Sequence, residues 1–194
     1  MARPSLKAQR SEEILDAFEQ CVARYGVEGA TLEKTAEEAG LQRSLLRHNV
    51  GNREDLINAL VKRFVEKSNT ATDALVLMVS EGTLPKEFID ILFDERYSDP
   101  QSVLLAQALI IAAPSYPEIS IHLQDWVDHF VKSMVKILKK IYPRAKTSQY
   151  REVAVGLMGI YFNAESFIPL GAMVELRRNS KRSALRLVET IISN

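Results

Sequence analysis

Residues 30–57, ATLEKTAEEAGLQRSLLRHNVGNREDLI, constrain the fold of this chain more than any other stretch, because two short amphipathic segments flank a glycine and a third begins at a capped turn. Thr31 can accept a backbone N–H as an N-cap. Leu32, Ala36 and Ala39 then recur on one helical face, with Glu33, Lys34, Glu37 and Glu38 outside it. Gly40 follows at once, where a residue tolerant of positive φ lets the chain reverse within three residues. A second helix is expected from about Gln42 to His48, with Leu41, Leu45 and Leu46 turned inward and Gln42, Arg43, Ser44, Arg47 and His48 facing out. Asn52 is a good N-cap and Asp55 takes the third position of a capping box, so a long helix should start at Arg53 and run towards Ser80. Upstream, Ile14, Leu15, Phe18 and Val22 share a helical stripe that Gly26 closes after Tyr25, and this helix covers the other two.

The outer face of the second short helix holds no acid. From Leu41 to Arg53 the chain carries Arg43, Arg47 and Arg53, a further charge on His48 when protonated, and no Asp or Glu, although its 25 basic and 25 acidic residues cancel. Such local positive charge suits a phosphate backbone, and the layout is that of a DNA-reading helix-turn-helix. Gln42, Arg43, Ser44 and His48 are the candidates for base edges; Thr31, Lys34, Arg47 and Arg53 are the candidates for phosphates. Arg3, Lys7 and Arg10 form a short basic arm ahead of the first helix, able to lie along phosphates or enter a minor groove.

These elements resemble the N-terminal domain of TetR-family transcriptional regulators. The resemblance covers Met1 to about Leu60 and rests on Y-G-x-x-G-A-T at Tyr25–Thr31, A-x-x-A-G-L at Ala36–Leu41 and N-R-E-D-L at Asn52–Leu56. Three departures bear on it. Thr35 stands where the family usually has an aliphatic residue, Arg47 replaces a common aromatic of the recognition helix, and Val50 replaces the usual phenylalanine. The domains implied are 1–52, a helix-turn-helix head, and 53–194, a helical ligand-binding and dimerisation body.

The rest of the chain keeps helical apolar spacing, and no strand pattern competes. Breaks fall at Glu81–Pro85, Ser98–Pro100, Ala113–Pro117, Tyr142–Thr147 and Gly171–Asn179, giving helices near 85–97, 100–112, 117–141, 147–170 and 180–192. Pro85, Pro100 and Pro117 each suit a first helical turn, with Asp99 as a cap before Pro100. The fold class is therefore all-α. Helix 147–170 is apolar around most of its circumference and must be buried on nearly all sides. Leu157, Ala164 and Ile168, with Leu185, Val188 and Ile192 of the last helix, are read as a four-helix dimer seam, which is also where the family dimerises. Inward aromatic and methionine positions, Phe93, Trp126, Phe130, Met158 and Phe162, are read as plain core or as the lining of a ligand pocket. Glu165 falls inside the apolar arc, where a carboxylate needs a partner. It either lines a pocket and favours a cationic or hydrogen-bond-donating ligand, with Tyr161 nearby, or pairs with an arginine.

No apolar run reaches the length needed to span a bilayer and the basic start lacks the apolar segment of a secretory signal, so a cytoplasmic protein without membrane contact is expected. The single cysteine, Cys21, excludes an internal disulfide framework and reads as packing. His122, Asp125 and His129 share a helix face with metal-like spacing, but that face lies opposite the apolar stripe and reads as solvated. Neither a phosphate-binding glycine loop nor a G-x-S-x-G or H-E-x-x-H motif is present, so no enzyme and no cofactor are expected. The leading expectation is a homodimeric repressor that binds a palindromic double-stranded DNA operator and is released by a small apolar or cationic effector. About eight phosphate contacts per dimer would give a salt slope of about −7. The competing reading is a helical interaction module that keeps the fold without reading DNA, with Arg47 and Val50 as marks of the loss.

Overall fold

The computed structural model describes residues 6–171 and 173–191, and among them the chain is helical with no strand. The helices are α1 (Leu6–Gly29), α2 (Leu32–Glu38), α3 (Arg43–Val50), α4 (Arg53–Met78), α5 (Pro85–Leu92), α6 (Pro100–Ala112), α7 (Pro117–Ile141), α8 (Thr147–Ser166) and α9 (Val174–Glu189). All three prolines singled out above open a helix, where their missing N–H costs nothing. Asp99 caps α6 by accepting from the Gln101 amide at 3.1 Å.

Two compact units emerge. One holds the residues up to Glu66 together with Leu104–Leu123; the other holds Lys67–Val103 with the residues from Gln124 onward. The first unit thus extends past the expected boundary at residue 52 and takes in the start of α4, because Leu56, Ile57, Leu60, Val61 and Phe64 are buried apolar residues that need a core. Ile14, Leu15, Phe18 and Val22 are buried as their spacing implied. Thr35, the departure from the aliphatic pattern, is fully buried, and its hydroxyl donates to the Thr31 carbonyl at 2.9 Å, so the polar group is satisfied within its own helix. Cys21 is 1% exposed, and burial pushes its thiol pKa up, in keeping with a packing role.

In the second unit α5, α7, α8 and α9 enclose a core that includes Phe88, Ile89, Leu92, Met134, Ile137, Tyr150, Leu157 and Val188. Lys140 donates to the carbonyls of Val76 at 2.7 Å and Val79 at 2.8 Å, covering the end of α4 with positive charge where its carbonyls are free. Three boundaries differ from the spacing. The helix expected over 85–97 ends at Leu92, and Asp94 caps a separate 3-10 turn at Glu95–Tyr97. The one expected over 147–170 ends at Ser166 before a 3-10 turn containing Pro169. Helix α9 starts at Val174, six residues before its expected start, because the ion pair of Arg177 described below anchors its first turn. By length and composition Thr147–Leu170 is apolar enough to cross a membrane, at mean hydropathy 1.4, which a search for uninterrupted runs overlooks since Arg151, Glu152 and Glu165 interrupt it. Its buried side chains nevertheless belong to a protein core.

Candidate nucleic-acid interface

The turn between α2 and α3 is set by local chemistry. Thr31 Oγ1 accepts from the Lys34 amide at 3.2 Å, as an N-cap should. At the other end of α2, Gly40 adopts φ +63°, and the amides of Leu41 and Gly40 donate to the carbonyls of Ala36 (2.8 Å) and Glu37 (3.1 Å). That pair of bonds is a Schellman closure, which requires the left-handed conformation that glycine adopts at little cost.

Helix α3 then presents a polar face. Gln42, Arg43, Ser44, Arg47 and His48 are all exposed, and Leu46 is fully buried beneath them. Leu45, expected inward, is 38% exposed; one buried position per turn suffices for so short a helix, and Leu46 occupies it. The α3–α4 turn is fixed by the expected capping box: the Asn52 amide donates to Asp55 Oδ2 at 2.9 Å and the Asp55 amide to Asn52 Oδ1 at 3.0 Å. Gly51, at φ +83°, admits that box, because a Cβ there would lie 2.4 Å from Asp55 Oδ2.

The arginines of this unit divide into two groups. Arg24 pairs with Glu38 at 3.0 Å, and Arg63 pairs with Asp16 at 2.7 Å and Glu19 at 2.6 Å. Arg43 and Arg47 have no acidic partner among the described residues, so their charge faces outward uncompensated. Lys34 is exposed with its ammonium 4.2 Å from the Tyr25 ring centroid, an arrangement that steers the cation without neutralising it. Lys7 and Arg10 are exposed at the start of α1, while Arg3 lies outside the described residues. Arg53 departs from expectation. Its guanidinium donates to the Val27 carbonyl at 2.6 Å and to the Tyr116 hydroxyl at 2.7 Å, with Glu28 at 3.5 Å, so it is held by protein where a free phosphate contact was anticipated.

The candidate ligand residues also assemble. Trp126 stacks on Phe162 with centroids 4.9 Å apart, Phe130 lies 4.9 Å from Phe162 and 5.9 Å from Tyr161, and Phe93 meets Tyr161 edge-on at 5.6 Å. Met158 packs against the same core. Burial pushes the Tyr161 phenol up to about 12, and the Glu165 charge adds to the effect. Glu165 itself is 8% exposed and forms an ion pair with Arg177, while its other oxygen accepts from the Ser98 hydroxyl at 3.0 Å. Arg177 also donates to the Phe93 carbonyl at 3.1 Å and to Ser98 Oγ at 3.0 Å. The arginine partner is thus the observed outcome for Glu165. Sequence reasoning missed Arg177 and Ser98; the only local signal was an arginine beyond the glycine break, 12 residues after Glu165.

Of the residues assigned to a dimer seam, Leu157 and Val188 are fully buried and Ala164 is 4% exposed within the subunit's own core, so they have no surface left for a partner. The reason is geometric: α8 and α9 pack on each other within one chain, which consumes those faces. Ile168 and Leu185 are half-buried, and Ile192 lies outside the described residues. The metal-like spacing leads elsewhere as well. His129 Nε2 lies 3.0 Å from Asp73 Oδ1, and no cluster of three ligating side chains occurs among the described residues.

No family model matches the chain. It is 34% identical over 146 residues to the HTH-type transcriptional repressor AcnR of Corynebacterium diphtheriae, spanning 75% of this chain and 70% of that protein. Its backbone superposes on a TetR-family transcriptional regulator from Cytophaga hutchinsonii with a TM-score of 0.79 over all of both chains, at 15% identity. The chain belongs to the TetR family. With the AcnR proteins of Corynebacterium glutamicum and Corynebacterium efficiens the match spans about half the relatives' length, 46% and 58% respectively. The multidrug binding protein EbrR complexed with proflavin also superposes, at a TM-score of 0.60 and 19% identity, over 92% of this chain and 99% of that one. The fold it shares with that family is all-α with an N-terminal helix-turn-helix domain.

Proposed function

We propose that this regulator is a homodimeric repressor whose two α3 helices read a palindromic operator in successive major grooves. The observation that carries the reading is the pair of uncompensated arginines on α3, Arg43 and Arg47, in a unit where Arg24, Arg53 and Arg63 are engaged by protein. Gln42, Arg43, Ser44 and His48 then face base edges, while Lys34 and Arg47 contact phosphates, with Thr31 as an uncharged neighbour. Arg43 is suited to a guanine, whose O6 and N7 match its two parallel donors.

For the second subunit, Val155, Ile168 and Leu185 are among the apolar side chains of α8, its trailing turn and α9 that retain surface, and they replace the buried Leu157, Ala164 and Val188 in the proposed seam. The effector is proposed to engage the aromatic cluster of Phe93, Trp126, Phe130, Tyr161 and Phe162 beside Met158. Because Arg177 already neutralises Glu165, this site favours an apolar aromatic molecule over a cation. Such an effector releases DNA only through a state with a different spacing of the two heads.

Selection from a randomised double-stranded DNA library tests the reading. It should enrich a palindrome bound by the wild type and lost by the Arg43→Ala/Arg47→Ala variant, which should remain a dimer in analytical ultracentrifugation. Enrichment that survives both substitutions would refute the assignment of α3 as the reader.

A further inference from the structure

Among the described residues, two buried side-chain polar atoms have no hydrogen-bond partner, Ser133 Oγ on α7 and Asn69 Oδ1 on α4. Ser133 is fully buried. A buried helical hydroxyl usually escapes by donating to the carbonyl four residues back, as Thr72 Oγ1 does to Ser68 at 3.0 Å, but Ser133 does not take that route. An oxygen removed from water without a partner costs the fold free energy, so two of them in one unit call for a function.

Helix geometry carries both atoms to the aromatic cluster of the second unit. Ser133 comes two turns after Trp126, about 20° round the helix from it, and about 60° round from Phe130. Those two rings each lie 4.9 Å from Phe162 of α8. About 40° further round, on the side away from Phe130, His129 reaches α4, with Nε2 3.0 Å from Asp73 Oδ1. Ser133 therefore stands at the edge of the rings that faces α4. Lys140, bonded to the Val76 and Val79 carbonyls, shows that α4 and α7 run in the same direction here, so Asn69, one turn before Asp73, is level with Asp125 and Trp126. The rim of the rings thus holds one oxygen that can only accept and one that can accept or donate. A purely apolar effector would leave both stranded. We propose that Asn69 and Ser133 select the effector, a neutral planar aromatic molecule that stacks in the cluster and donates an N–H or O–H from its edge to these oxygens. This deepens the effector reading given above and rests on it. Selection of this kind is effective because the analogue without the donor leaves a buried protein atom unpaired when it binds.

Indole and benzothiophene supply the test, since they share one bicyclic outline and differ by an N–H against a sulfur. Calorimetric titration of the full-length protein should show indole binding about tenfold more tightly than benzothiophene, the equivalent of one hydrogen bond. Ser133→Ala and Asn69→Leu should each shrink that preference, and the double variant should bind the two compounds equally. Because the Ser133 hydroxyl bonds no protein atom among the described residues, Ser133→Ala should also melt no lower than the wild type. Equal binding of the two compounds by the wild type, or a preference for indole that survives both substitutions, overturns the proposal. A lower melting temperature of Ser133→Ala with the preference intact overturns it too, since that is the behaviour of a hydroxyl satisfied by a structural water. Failure of the wild type to bind either compound would instead overturn the aromatic cluster as the effector site, so the two failures are distinct.

Discussion

Arg47→Ala should flatten the salt dependence of operator binding by an amount the structure sets. Of the four helix-turn-helix candidates for phosphates on each subunit, Lys34 and Arg47 are exposed cations, since Thr31 is uncharged and Arg53 is committed to Val27 and Tyr116. A dimer then neutralises four phosphates, and with a slope of about −0.9 per contact log K should fall with log salt at about −3.6. Between 50 and 200 mM salt this is a loss of about 150-fold in affinity, against about 10⁴-fold for the eight contacts that the sequence alone suggested. Removing Arg47 from both subunits leaves two contacts, a slope of about −1.8 and a loss of about 12-fold over the same range. Fluorescence anisotropy with labelled operator across five or six salt concentrations resolves these slopes. A variant slope equal to the wild-type slope would refute the placement of Arg47 on a phosphate.

Further expectations concern the body and the caps. Leu157→Ala should cost about 2–5 kcal/mol in a melt, as a buried core leucine does, yet leave the concentration dependence of dimerisation in sedimentation unchanged; a weakened dimer with unaltered stability would return Leu157 to the seam. Glu165→Ala strands the guanidinium of Arg177, 15% exposed, and should cost about 3–5 kcal/mol in the same assay, whereas no loss would show that Ser98 and the Phe93 carbonyl suffice to hold it. The Tyr161 phenol, pushed up to about 12, holds its proton in the folded chain after the unfolded chain has lost it near pH 10. Stability should therefore be indifferent to this group below pH 10 and fall as pH rises from 10 to 12, and Tyr161→Phe should remove that part of the fall. Asn52→Ala breaks the cap of α4 and should cost about 1 kcal/mol; an unchanged melting temperature would show the Asp55 half of the box to be sufficient.

The head was legible in the sequence because its determinants are local. Thr31 and Lys34, Asn52 and Asp55, and Gly40 with Ala36 are separated by three or four residues, and each pair acts through a backbone bond whose geometry the helix itself dictates. The polarity of α3 was equally local, except at Leu45, where a helical wheel assigns a direction without knowing how much neighbouring surface exists to cover it.

Where the structure departs from local sequence patterns, the interacting groups lie far apart along the chain. Arg53 looks free in the sequence because its captors, Val27, Glu28 and Tyr116, are 26, 25 and 63 residues away. The sequence leaves Glu165 open to a pocket or an ion pair because Ser98 is 67 residues distant and Arg177 lies beyond a glycine break. Leu157, Ala164 and Val188 are buried within their own subunit, which the sequence does not reveal, because an apolar stripe states that a face must be covered and not by what. By itself, then, the sequence determined the helices, their caps and the positive charge of the reading face, since propensity, capping and net charge are properties of contiguous residues. Tertiary structure alone decided which arginines remain uncompensated and which apolar faces α8 and α9 spend on each other, because charge compensation and burial depend on whichever groups folding brings within reach.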